Sequence, residues 1–503
     1  MGTKEPAQGA DGSRSFAVGD LIMSCDPFVW VLESSAYRTR CANCLQESQD
    51  LRTCSGCRLH RYCDVACQSA DWKAEHKVEC ALLKKKGTGS GMETARGPSN
   101  CGTRYTMDIS PDLIAKVDNK IKLNAVVDVP GLGPKSAKEL WNTLPSNPKS
   151  PRINVTYRGR SEEVMRQLGI DVPEMMSYSG KIAYNSMAII DTVKETAPIG
   201  LALYPPVSEQ LMTPVCWDMN VVLSFRGRRL VIHAVEDIPN YVGFKDLRYA
   251  DIQEPFFLTR AGRRLEFEKM YGHPCTCRKC TPEYEADINP LKCVTIGCAN
   301  RIPSDDRALQ PCARCGALNG ERLSQFRRFM QQHETIKTGY SKELHGAMVI
   351  DLLQEMDAAD ILQPDAHIRY VCGWEWPRML YNENRFEEGW KLMKELIVCA
   401  RNIYPKYHAF RAMVLALAGV SSALALMNRV MEKINQLTGA EKQQLKTSSD
   451  TASRILLGYS REARDIFVLL YGEPSKEATA GKNFLARTSS YVRHTQKMCQ
   501  KRK

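Results

Sequence analysis

Several classes of protein are set aside by what this chain has little of. Its first twelve residues, MGTKEPAQGADG, are polar and carry no apolar core segment, so a secretory leader is not expected. Pro6 stands where a myristoylation signal wants Ser or Thr. The longest apolar run, Ala412 to Met427, is interrupted by Ser421 and Ser422 and is short of the ~20 residues a membrane span needs, so no membrane partner is expected. The net charge is +12, yet the basic clusters Lys84-Lys85-Lys86, Arg226 to Arg229 and Lys501-Arg502-Lys503 are scattered, with no nucleic-acid motif beside them. Nucleic acid is therefore not an expected partner. Between Asp351 and Asp365 the balance reverses: Asp351, Glu355, Asp357, Asp360 and Asp365 occur with no base, either an ordinary helix face or a surface for a basic protein. Twenty cysteines without a leader point to a reducing nucleus or cytoplasm, with thiols serving metals.

What the chain does have is an uninterrupted series of metal-ligand side chains: Cys41-x2-Cys44-x9-Cys54-x2-Cys57-x5-Cys63-x3-Cys67-x8-His76-x3-Cys80. Structural zinc takes four thiolate or imidazole ligands in a closed tetrahedron, so this series makes two sites. Interleaving the ligand pairs buries a small core between the ions. It assigns Cys41, Cys44, Cys63 and Cys67 to one zinc, and Cys54, Cys57, His76 and Cys80 to the other. A disulfide framework would not need His76 three residues before Cys80. Zinc is then the core of a segment too short to build an apolar one.

The spacing resembles the MYND zinc finger, with Tyr62 before Cys63, Trp72 before the histidine, and His76-Lys77-Val78-Glu79-Cys80 at its end. Such fingers dock short peptides in other proteins, so the resemblance implies a protein-interaction module.

Two further cysteine groups follow. Cys293-x4-Cys298-x13-Cys312-x2-Cys315, with Gly316 after it, is a ribbon-like zinc site by itself. Cys275-x-Cys277-x2-Cys280 supplies three ligands and wants a fourth, with Cys216 and Cys101 as candidates. Short β-like runs, VVLSF and RRLVIHAV, flank the turn Arg226-Gly227. From Glu321 onward the pattern is helical. Phe386, Trp390, Met393, Ile397 and Ala400 share one helix face, and a second such segment runs from Ile455 to Gly472.

Taken with the finger, the segments GLALYPPVSEQLMTPVC and VVLSFRGRRLVIHAVEDI, Tyr249-Ala250-Asp251 and the Cys-x-Cys-x2-Cys tail look like a split SET domain. Nearly all of residues 15–503 resembles the SMYD family of protein-lysine methyltransferases. The resemblance implies an α+β multidomain fold: a small-sheet SET core in which a segment threads a loop, an inserted MYND finger, a cysteine-rich post-SET zinc region and an all-α, tetratricopeptide-like C-terminal domain. The expected boundaries are 15–40 for the N-terminal SET segment, 41–80 for the finger, and 81–180 for a helical insertion with a flexible loop at 84–103. The SET core follows at 181–255, the post-SET region at 256–320 and the helical domain at 321–503.

The family also implies roles. Cys216 occupies the position of the fourth ligand to the Cys275, Cys277 and Cys280 zinc. Tyr249 matches the catalytic tyrosine, Asn185 a contact to S-adenosylmethionine and Tyr271 an aromatic of the lysine channel. Protein partners are expected at the finger and the helical domain, and a lysine-bearing protein as substrate. Three cofactor elements depart from the family. The Gly-x-Gly turn is missing, with only Gly9-Ala10-Asp11-Gly12 in its region. Thr213-Pro214 replaces Asn-His before Cys216, and His273 replaces an aromatic residue. One residue is inserted between Cys216 and Asn220, which stands for the family's Pro-Asn asparagine. Zinc is thus expected at three or four sites, while S-adenosylmethionine use is open. A divergent methyltransferase and a non-catalytic adaptor or transcriptional regulator are the two readings.

Overall fold

The fold is taken from a computed structural model that describes residues 7–8, 14–33, 36–85, 111–123, 125–129, 133–144, 169–190, 198–204, 212–250, 260–339, 342–373, 376–473 and 475–500. The expected loop at 84–103 lies outside them from residue 86 on, and Lys84 and Lys85 instead close a helix. Gly9 to Gly12, Asp251 and the basic tail 501–503 also lie outside. The chain forms two units. The first comprises Met1–Val215, Met219–Gln253 and Leu265–Pro274; the second comprises Cys216–Asp218, Glu254–Arg264 and Cys275–Lys503.

Small sheets organise the first unit. Strands β1 (Leu21–Cys25), β2 (Val29–Leu32), β3 (Ser186–Ile190), β4 (Pro198–Leu203), β5 (Thr213–Val215), β6 (Val221–Arg226), β7 (Arg229–Ala234) and β8 (Arg248–Ala250) pair in three of them. Their orders are β2-β4-β3, β6-β7-β1 and the parallel pair β5-β8. The β2-β4-β3 sheet is buried on both faces, and the period-2 alternation of its side chains divides them between two cores. Trp30, Leu32 and Ala202 join one core, whereas Val29, Val31, Leu201 and Leu203 join another. The second core is closed by helices of the insertion, α1 (Pro111–Lys122) and α2 (Val172–Asn185), through Leu113, Ile114, Val117, Tyr178 and Ile182.

The first core is shared with the finger. Cys41, Ala42, Leu45, Cys54, Tyr62 and Cys80 belong to the same apolar cluster as Met23, Trp30, Val221, Leu230, Ile232 and Tyr249. Three consecutive carbonyls of the first knuckle are docked on the sheets. The Trp30 indole donates to Ala42 O (3.0 Å) and Arg228 donates to Asn43 O (3.0 Å). Cys44 O lies over Gly227, the first residue of the two-residue turn between β6 and β7. Gly227 has φ of +62°, and a Cβ there would meet Cys44 O at 2.5 Å, so both backbone and space demand glycine.

In the second unit the described residues after Gly320 are helical apart from short connections, with a bridge between Leu291 and Leu362. Helix α3 (Phe386–Ile403) buries the expected face, Phe386, Trp390, Met393, Ile397 and Ala400. It is followed by α4 (Ala409–Lys433), α5 (Gly439–Tyr471) and α6 (Lys476–Gln500), which pack on one another. The apolar run from Ala412 lies within α4. At 25 residues α4 is longer than that run, and by length and composition alone it could cross a membrane; half of its most apolar window is buried within the protein. Small residues let the three helices approach: Ser460 and Thr488 share a 2.8 Å hydrogen bond, and Gly419 faces Ser460. Helix α5 starts on a capping box of Thr438 and Glu441 and stops at Gly472, φ +71°.

Gly227→Ala and Gly133→Ala separate strain from docking. Gly133 also has a left-handed φ, +72°, but nothing lies within 4 Å of its Cβ position. Gly133→Ala is expected to lower stability by about 1–2 kcal/mol, and Gly227→Ala by clearly more, in urea unfolding. Equal losses would show that the knuckle does not rest on the hairpin.

Candidate functional site

Three of the four Cys-x2-Cys knuckles share one local device, Cys277-x2-Cys280 being followed instead by Thr281 with φ of −74°. A Cys-x2-Cys pair is followed by a residue in the left-handed region, which turns its amide back to the first cysteine. Leu45 (φ +61°) donates to Cys41 O at 2.9 Å, Arg58 (φ +60°) to Cys54 O at 3.0 Å, and Gly316 (φ +75°) to Cys312 O at 2.8 Å. Both thiols of a pair then face one side. Short helical segments supply three of the four remaining ligands in the finger, Cys67, His76 and Cys80, while Cys63 follows the strand Arg61–Tyr62. Asp64 caps Val65–Asp71 by accepting from the Cys67 amide at 2.7 Å, while His76 and Cys80 lie one turn apart where a π-turn runs into Lys77–Lys85.

The ligand atoms gather in fours, each group within 4.8 Å: Cys41, Cys44, Cys63 and Cys67; Cys54, Cys57, His76 and Cys80; Cys216, Cys275, Cys277 and Cys280; Cys293, Cys298, Cys312 and Cys315. Cys44–Cys63 is 3.6 Å, Cys54–Cys80 3.8 Å, Cys216–Cys277 3.7 Å, Cys293–Cys315 3.5 Å and Cys298–Cys312 3.9 Å. A tetrahedron with Zn–S bonds of ~2.3 Å has sulfur–sulfur edges of about 3.8 Å, whereas a disulfide is ~2.05 Å. The donor sets fit zinc. The hydrogen bond from Cys44 lowers the Cys41 thiol while Cys44 is pushed up, and Cys216 is pushed up as Cys277 falls. Sulfurs this close share protons unless a dication replaces them.

Behind the second finger site stands a buried polar group that sequence reading missed. His76 turns Nε2 toward Cys54 (3.4 Å) and Cys57 (3.7 Å), and its Nδ1 lies 3.1 Å from Glu79 Oε2. Glu79 is fully buried and also meets Lys116 of α1 at 3.3 Å and His60 at 3.5 Å. Burial by itself would raise the Glu79 carboxyl, but Lys116, His60 and His76 hold it at about 2. The only sequence signal was the spacing His76-x2-Glu79; nothing marked Lys116.

The two groups of the second unit differ in shelter. Cys216, Cys275 and Cys280 are buried, and the neighbouring Trp217 is clamped by Arg263 at 4.2 Å. In the other group Cys315 is exposed, and the site rests on the short strand pair Leu291–Lys292 with Arg301–Ile302 and on Asn300, which donates to Cys312 at 3.3 Å. The acidic run 351–365 is largely neutralised nearby: Asp357 pairs with Arg369, Asp360 with Lys292, and Asp365 with Arg301 at 3.0 Å.

The residues matched to a methyl-transfer pocket lie on separate elements of the first unit. Tyr249 is buried on β8, opposite Pro214 in the parallel pair. Pro214 has no amide to donate, and the Thr213 hydroxyl is spent on Lys245 O at 3.1 Å. Asn220 donates to Asp246 O and accepts from the Arg248 amide, both at 2.7 Å, so its side chain pins β8. Asn185 ends α2 and donates to Lys181 O at 2.7 Å. Tyr271 is buried against Phe267, ring centroids 4.5 Å apart, and His273 is exposed beside them. At the clasp positions, then, Thr213 and Asn220 turn polar atoms to the backbone and Pro214 offers none.

The zf-MYND family, MYND finger, matches residues 41–80. Histone-lysine N-methyltransferase SMYD3 of Homo sapiens is 26% identical over 285 residues, covering 54% of this chain and 58% of its own. N-lysine methyltransferase SMYD2 of Homo sapiens is 25% identical over 276 residues, with the same coverage, and that of Gallus gallus is 26% identical over 287 residues, covering 57% and 60%. The chain thus spans about three fifths of the length of these relatives. The finger and these likenesses together support the SMYD family, a SET/MYND zinc-binding, lysine-methyltransferase-like protein.

Metal analysis of native protein is expected to give four zinc ions per chain, one for each ligand group. Cys216→Ser is expected to release one, because three thiolates cannot close the tetrahedron. Two or fewer ions in the native protein would remove both sites of the second unit.

Proposed function

We propose that this chain is a divergent SET/MYND protein that binds protein partners through its finger and helical unit, while its S-adenosylmethionine clasp is weak and methyl transfer to protein lysine slow. MYND fingers are protein-interaction modules, and the curated relatives carry the names of lysine methyltransferases, which act on proteins. The observation that carries the reading is Pro214 opposite Tyr249: an imino acid stands where the family places a cofactor-contacting histidine. With Thr213 turned to the backbone and His273 in place of an aromatic, three contacts are altered. At about 1 kcal/mol or more for each of the two polar contacts, at residues 213 and 214, the loss is roughly 2 kcal/mol, about thirtyfold or more in affinity. The nucleus and cytoplasm, where thiols stay reduced, are the proposed locations.

A second reading, an efficient methyltransferase, is favoured by Tyr249, Asn185 and Tyr271 at the family's positions. There Tyr249 would orient the substrate amine, and Tyr271 would line an apolar channel that favours the neutral, nucleophilic form.

Calorimetric titration with S-adenosylmethionine distinguishes the two. Weak or undetectable binding is expected for the wild type, and tighter binding for Thr213→Asn/Pro214→His. Tight wild-type binding, with lysine methylation lost in Tyr249→Phe, would replace the first reading by the second.

A further inference from the structure

His60, His76 and Glu79 lie within 4.8 Å of one another and, taken alone, have the composition of a further metal site. Their surroundings say otherwise. The Lys116 ammonium is 3.3 Å from Glu79 Oε2 and donates to Trp30 O at 2.8 Å, so a cation is already built in. His60 stacks on the His76 ring with centroids 4.6 Å apart, and His76 directs its Nε2 to Cys54 and Cys57. Glu79 therefore does not bind a second ion. It accepts from the far side of a ligand imidazole, and its own charge is balanced by Lys116.

Lys116 is not part of the finger. It sits on α1, thirty-six residues beyond Cys80 in sequence, with 2% of its side chain exposed. Such a charge is buried at a cost of several kcal/mol unless it is paired, and its pairing is with a residue one position before a zinc ligand. The ring of His76 is thus held from behind by a chain of contacts, His76–Glu79–Lys116–Trp30, that ends in strand β2.

We propose that Glu79 and Lys116 are positioning residues for the second zinc of the finger, so that this metal is held in part by the fold outside the finger. Glu79 fixes the tautomer and orientation of His76 by accepting from Nδ1–H, leaving Nε2 for zinc. Lys116 pairs with Glu79 at 3.3 Å and holds it in place when α1 docks. The Cys41, Cys44, Cys63 and Cys67 site, whose knuckle is docked through Trp30 Nε1 and Arg228 and not through Glu79, serves as an internal reference. The inference stands on the finger alone and does not depend on the state of the methyl-transfer clasp.

The test uses the full-length, zinc-loaded chain and the release of zinc to the chelator 4-(2-pyridylazo)resorcinol. Mass-spectrometric mapping of iodoacetamide alkylation identifies the site that opens. In Lys116→Met one zinc equivalent is expected to leave about 10–100 times faster than in wild type, with alkylation appearing at Cys54, Cys57 and Cys80 and not at Cys41, Cys44, Cys63 and Cys67. Lys116→Met/Glu79→Gln removes the unpaired charge and keeps a carbonyl acceptor for His76, so it is expected to recover much of the slow release. A purely packing role for Lys116 would leave the double variant no better than the single one, and that result overturns the proposal, as does a wild-type rate in Lys116→Met. Should Lys116→Met fail to fold, the double variant decides: release within tenfold of wild type supports the proposal, and failure to fold or to hold the second zinc overturns it.

Discussion

Sulfur atoms held within 4.8 Å of one another, several of them away from water, impose the constraint on which the rest of this molecule depends. Four thiolates in such a space repel strongly, because the low dielectric of the interior magnifies each pair interaction. Four neutral thiols would be weakly held and free to drift apart. A dication resolves both problems and converts the ligands into fixed points. In the finger those fixed points are also core residues: Cys41, Cys54 and Cys80 lie in the same apolar cluster as the sheet residues Leu230, Ile232 and Tyr249. Metal binding and folding of the finger are then coupled, since a tetrahedron that loosens also loosens its own share of the cluster.

The contacts around the first knuckle show how the coupling is made. Ala42 O, Asn43 O and Cys44 O meet Trp30, Arg228 and Gly227 in turn. Trp30 is itself flanked by two cations, Arg228 at 4.1 Å and Lys116 at 5.2 Å from its ring. A single indole thereby joins strand β2, the β6-β7 turn, the finger and α1. An interaction module hung on a flexible tether would need none of this. Here the finger is oriented by the sheets, so a peptide bound to it would be presented in a fixed direction.

Features that depend on local spacing were legible in the sequence: the paired cysteines of the knuckles, the β6-β7 turn at Arg226-Gly227, and the buried face of α3 from Phe386 to Ala400. What was not legible depends on contacts between distant residues or on small polar side chains. Helix α5 showed only its second half to periodicity, because besides Leu445 its first half buries Ser449, Ala452 and Ser453, small residues that carry little hydrophobic signal. The acid-rich run 351–365 read as an open charged surface until Arg369, Lys292 and Arg301 were found opposite it. Lys116 could not have been assigned to the zinc site at all, since a lysine on an amphipathic helix is ordinarily in solvent. Asn220 was aligned to a family position, but alignment does not reveal that both ends of its amide are bound to the backbone.

That last residue explains how a clasp can change while the scaffold stays. Strand β8 is held beside β5 by the Thr213 amide, which donates to Leu247 O at 2.9 Å, and by Asn220, whose side chain and amide bind residues 246 and 248. None of these contacts uses the Pro214 side chain or its missing amide. The pairing that places the buried Tyr249 therefore does not call on an amide at residue 214. The zinc ligands have no comparable freedom, because each supplies one of four bonds and a share of the core. Physical dependence of this kind leaves the clasp positions freer to diverge than the zinc ligands.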